Sequence, residues 1–112
     1  MVRMSTRLVF VTCPDPAVAV NLAKSLVEER LAACGNVLPG VRSIYRWEGA
    51  VHDGAECLLL LKTTAAGYPA LEARVKALHP YDVPEIIAVK VEGGLPAYLQ
   101  WVADSLQPPR EL

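Results

Sequence analysis

The chain has 112 residues, 53% of them hydrophobic and 21% charged, and its 11 basic and 12 acidic side chains leave a formal net charge of −1. That length holds one domain and excludes a catalytic domain beside a separate cofactor domain, and the charge balance excludes a dominant non-specific attraction to nucleic acid. The apolar share exceeds the roughly 45–50% of ordinary globular domains, which points to apolar surface covered by another copy of the chain.

Leu8-Val9-Phe10-Val11-Thr12 reads as a strand with apolar side chains on both faces, so a central one. The apolar run of Leu8–Val11 is too short for a signal peptide and stops at Thr12-Cys13-Pro14-Asp15. Asp15 reads as an N-cap with Pro16 at the first helical position. Val18, Leu22, Leu26, Val27 and Leu31 follow helical spacing, which predicts a helix from Pro16 to Leu31. Cys34–Gly40 starts a strand that Pro39 interrupts, as at a bend, bulge or edge. Val41–Trp47 then alternates, with Val41, Ser43, Tyr45 and Trp47 on one side. Glu48-Gly49 and Asp53-Gly54 are both suitable turns, and the sequence does not choose between them.

Glu56–Thr63 is a second strand apolar on both faces. Its Cys57–Leu61 is the longest apolar run, too short to span a membrane. Gly67-Tyr68-Pro69 opens a second helix with Leu71, Val75 and Leu78 as its buried stripe and Glu72 and Lys76 spaced to pair. Glu85–Val91 is a fourth strand, and Ile86, Ile87, Ala88 and Val89 make it the third that is apolar on both faces. Leu95, Leu99, Val102 and Leu106 give a third helix, ended by Pro108-Pro109.

The order β-α-β-β-α-β plus a terminal helix is an α+β, ferredoxin-like split βαβ sandwich, one domain over residues 1–112 with tails at 1–6 and 108–112. Right-handed crossovers put both main helices on one sheet face. The opposite face is then apolar and needs a cover, which sheets of neighbouring subunits supply.

Candidate chemistry falls on few residues. His79 sits at a helix end, where an imidazole meets the terminal carbonyls or binds a ligand. His52 lies in or near the hairpin and reads as an exposed loop residue. Cys13 and Cys34 lie at element edges, and with His79 they offer two thiols and an imidazole to a soft metal such as copper(I). Cys57 reads as core. Three cysteines form no disulfide framework and no CxxC pair, which predicts reduced thiols in the cytoplasm. Lys62, Glu56, Glu85, Tyr81 and Trp101 form a polar and aromatic set for a small pocket, and Tyr45 and Trp47 suit subunit packing. No phosphate loop, zinc helix motif or nucleophile elbow is present, so no enzyme activity, nucleic-acid partner or membrane partner is expected.

Five segments together resemble the CutA divalent-cation tolerance family: Leu26–Asn36 (LVEERLAACGN), Gly40–Gly49 (GVRSIYRWEG), Leu61-Lys62-Thr63, His79–Ile87 (HPYDVPEII) and Tyr98–Val102 (YLQWV). The resemblance runs from about Leu8 to Leu106. It implies a compact homotrimer and a response to copper or another divalent metal, with no organic cofactor. It also implies metal ligands at His79 and on the first strand. The family's cysteine position there maps to Val11, with Cys13 on the same strand face; Cys34 falls in the matching Leu-Ala-Ala-Cys segment. Lys62, Tyr81, Glu85 and Trp101 are the interface-pocket set the resemblance implies. A trimeric small-molecule sensor and a partner-binding platform are the alternative functions.

Overall fold

The computed structural model describes residues 5–108. The elements run β1 (Thr6–Cys13), α1 (Pro16–Glu28), β2 (Cys34–Trp47), β3 (Ala50–Thr64), α2 (Tyr68–Leu78), β4 (Ile86–Lys90) and α3 (Pro96–Asp104). This is the expected β-α-β-β-α-β arrangement with an added C-terminal helix. The antiparallel sheet has the order β2-β3-β1-β4, so two of the three doubly apolar strands, β1 and β3, are central, whereas the third, β4, lies at an edge. The expected tails fall mostly outside the described residues, and Thr6 already belongs to β1.

Alternate side chains of β1 and β3 face the helices. Val9, Val11, Cys13, Cys57, Leu59 and Leu61 are fully buried there, against Ala19, Leu22 and Leu26 of α1 and Leu71 and Val75 of α2. Arg74 clamps the outer side of these helices with a bidentate pair to Glu29, at 2.8 and 3.0 Å.

Asp15 caps α1 as expected, its Oδ1 accepting from the Val18 amide at 2.9 Å. The helix ends at Glu28, three residues before the expected Leu31. Arg30 takes a left-handed φ of 61°, Leu31 N–H donates to the Leu26 carbonyl, and Arg30 N–H donates to that of Val27. This is a Schellman closure, a job usually given to glycine. With arginine there, the stripe reads as unbroken.

The hairpin turns at Glu48-Gly49, both at positive φ (49° and 78°), as a two-residue type I′ turn requires. Asp53 and Gly54 lie inside β3, opposite Ile44 and Ser43. Pro39-Gly40 marks a register shift in the edge strand β2, with Gly40 at φ 82°.

Several helix details differ from the sequence reading. Glu72 accepts from the Tyr68 hydroxyl at 2.7 Å and Lys76 donates to the Asp82 carbonyl at 3.0 Å, so these two side chains do not pair with each other. Leu78 and Leu95 are exposed, whereas Val102 and Leu106 are buried.

The register defines the face away from α1 and α2. It carries Leu8, Phe10 and Thr12 of β1, Glu56, Leu58, Leu60 and Lys62 of β3, and Ile87 and Val89 of β4. α3 packs on β1 and β3 and covers one end, where Thr6 and Thr64 are buried beside a small cluster of Ala33, Val102 and Leu106. The middle of the face is left open, with Ile87 53% and Val89 44% exposed.

Candidate functional site

A cavity of about 510 Å³ lies at the end of this face opposite α3. The hairpin contributes Ser43, Tyr45 and Trp47, the side that alternation had grouped together. Thr12 and Glu56 also line it, with Pro80, Tyr81, Asp82, Val83 and Glu85 of the turn before β4. Two prolines, Pro80 and Pro84, bar that turn from helix and hold it as a wall between α2 and β4.

His79 anchors the wall. Its Nδ1 accepts from the Tyr81 amide at 3.1 Å, which assigns the proton to Nε2; that N–H donates to the Thr12 carbonyl at 2.8 Å. The side chain therefore ties the end of α2 to β1 rather than capping α2's own carbonyls. Next to it, the Tyr81 hydroxyl donates to Glu56 Oε2 at 2.7 Å. Burial pushes the Tyr81 phenol up, and the Glu56 carboxylate beside it pushes it further, so it stays a donor. His52 lies in β3, not in a loop, and stacks on Tyr45 with ring centroids 5.4 Å apart.

Within one chain the expected pocket set divides. Glu56, Tyr81 and Glu85 line the cavity. Lys62 pairs in register with Leu8, six residues along β3 from Glu56, about 20 Å away at strand spacing. There it donates to Asn36 Oδ1. Trp101 is on α3, packed on Tyr98 at a centroid distance of 5.5 Å. The cavity residues outside the expected pocket set are Thr12, Ser43, Tyr45, Trp47, Pro80, Asp82 and Val83, and the structure puts Tyr45 and Trp47, expected in subunit packing, in the cavity of their own chain. The one signal for Ser43 was its shared strand side with Tyr45 and Trp47.

The thiol and imidazole candidates also lie apart. Cys13 is paired in register with Cys57 on the helix-covered face. Cys34 is paired with Lys62, about 16 Å along β3 from Cys57, and its Sγ lies 3.7 Å from the Tyr98 hydroxyl. Among the described residues, no group of three or more His, Cys, Asp or Glu is placed to hold a metal ion.

Burial pushes the Cys13 thiol up from 9.0 to about 12, with the neighbouring Cys57 adding to the effect. The unfolded thiol loses its proton first as pH rises, so its contribution to stability is fully present below 9.0 and fades toward 12. The melting temperature is expected to fall across that window, and to fall less steeply in Cys13→Ala. Equal slopes in thermal unfolding of the two proteins would contradict this.

Residues 7–105 match the family described as CutA1 divalent ion tolerance protein. The chain belongs to the CutA1 family. It is 53% identical over 98 residues to the divalent-cation tolerance protein CutA of Thermus thermophilus, covering 88% of this chain and 95% of the relative. Protein CutA of Homo sapiens is 47% identical over 98 residues, and the matched part spans only 55% of that longer protein. Among solved structures, the Thermus thermophilus divalent cation tolerance protein superposes with a TM-score of 0.88 at 51% identity, covering 91% of this chain and 99% of the other. CutA1 of Oryza sativa superposes at 0.90 with 44% identity, covering 93% and 95%. The CutA1 match thus includes the hairpin, the wall turn and all of α3. No helix among the described residues is long and apolar enough to cross a membrane.

Proposed function

We propose that the protein serves divalent-cation tolerance as a cytoplasmic homotrimer, with copper or another divalent ion as the species it responds to. The observation that carries this is the near-full-length relation to the Thermus thermophilus divalent-cation tolerance protein, 53% identical and 95% covered. The open sheet face supports the assembly, because Phe10, Leu60 and Ile87 stand side by side in register on it, with Phe10 and Leu60 half-buried and Ile87 exposed.

Cys13, Cys34 and His79 do not fit one resident ion within a chain. Cys13 is buried with its thiol protonated, and both His79 ring nitrogens are engaged. The metal therefore enters as cargo or signal, with Cys34 as its accessible soft donor and the remaining donors coming from outside this chain. Copper(I) titration of protein purified in chelator tests the assignment. Cys34→Ser is expected to weaken uptake by about tenfold or more, about 1.4 kcal/mol. Unchanged uptake would remove Cys34 from the site.

A second reading, a trimeric small-molecule sensor, is favoured by the cavity. Its volume falls in the range of small-ligand pockets, about 300–1,000 Å³.

A further inference from the structure

The cavity is walled by three aromatic rings, Tyr45, Trp47 and Tyr81, and by three carboxylates, Glu56, Asp82 and Glu85. No lysine or arginine lines it. A metal ion is a poor occupant. Divalent cations such as calcium or magnesium take about six or more oxygen ligands at roughly 2.0–2.6 Å, and these carboxylates form no such group among the described residues. Aromatic faces supply no coordinating lone pairs, but they do attract a diffuse positive charge. An anion would meet three acidic residues and, among the lining residues of this chain, no lysine or arginine.

We propose that this cavity binds a small organic cation of the amine or ammonium class, with the aromatic walls holding its alkyl groups and the carboxylates its charge. The inference rests on the sensor reading and names its ligand class. Glu56 is suited to the role because only its Oε2 is used by Tyr81, which leaves Oε1 to receive an N–H. Tyr45 is braced from behind by His52, so its ring is held in place before a ligand arrives. Thr12 and Ser43 add hydroxyl groups for the N–H donors of a primary or secondary amine.

The test is calorimetric titration of the full chain, in chelator, with tert-butylammonium and with its neutral near-isostere tert-butanol. Chelation separates this result from the metal reading. The cation is expected to bind saturably and at least about tenfold more tightly than the alcohol. The double variant Glu56→Gln/Glu85→Gln is expected to lose that preference, and Tyr45→Leu to weaken the cation more than the alcohol. Equal affinity for cation and alcohol would overturn the ligand class while leaving a small-molecule pocket. Binding of neither would overturn both the class and the sensor reading. A cation affinity untouched by all these substitutions would place the binding elsewhere and also overturn the proposal.

Discussion

Leu59→Ala is expected to lower the unfolding free energy by about 2–5 kcal/mol, the range for leucine truncations in close-packed cores. Leu59 is fully buried on a central strand, opposite Val11 in the register. Its neighbourhood cannot easily collapse into the void. A Cβ at Gly35 would already sit 3.0 Å from the Ala23 Cβ and 3.4 Å from Leu59 Cδ1, so β2 and α1 are in close contact there. Domains of this size have about 5–15 kcal/mol in all, so the loss is a large share of the total. Denaturant unfolding of both proteins at one fixed concentration measures it, since an assembling chain gains apparent stability from its partners. A loss under about 1 kcal/mol would mean that the core repacks freely, contrary to the close contacts at Gly35.

Ile87→Asp is expected to have the largest effect on assembly. Ile87 lies on β4, at the edge of the sheet, and is 53% exposed within the chain. A carboxylate there stays in water in a lone subunit and costs its fold little. In an assembly that covers the open face, the same carboxylate is buried without a partner, which costs several kcal/mol. The mass in solution is expected to fall from three chains to one 12.1 kDa chain, with circular dichroism unchanged. A variant that keeps the native mass would show that the open face is not where copies meet.

Most of the fold is legible along the chain because its signals are local. Of the three strands apolar on both sides, β1 and β3 are central and β4 is an edge strand, so that signal alone did not fix the order, whereas Asp15-Pro16 had to start a helix. The end of α1 was not legible, because Arg30 adopts a conformation that nothing in its side chain favours. The hairpin turn was not legible either, because two Xaa-Gly pairs of equal quality compete and the pairing of Trp47 with Ala50 decides. The cavity was half legible. Tyr81 and Glu85 stand close in sequence to the prolines that shape the wall. Their partners Tyr45, Trp47 and Glu56 come from the hairpin, and only the fold of the hairpin arm over the wall turn brings them to one place. Lys62 and Trp101 share the sheet-face side of the molecule with that cavity, but strand spacing and the position of α3 keep them at its other end.

The metal and cavity readings make separate demands on the molecule. Cys34 and Tyr98 meet beside α3, whereas Tyr45, Glu56 and Tyr81 meet beneath the hairpin. Substitutions at Cys34 are thus expected to leave amine binding alone.

A chain that confers tolerance of divalent cations protects cells lacking the gene, and growth of such cells with the wild-type protein or an empty vector, across a series of copper concentrations, measures that protection. The protein is expected to shift growth arrest to higher copper. Superimposable growth curves with and without the protein, at matched expression and across copper and the other divalent ions tried, would contradict this.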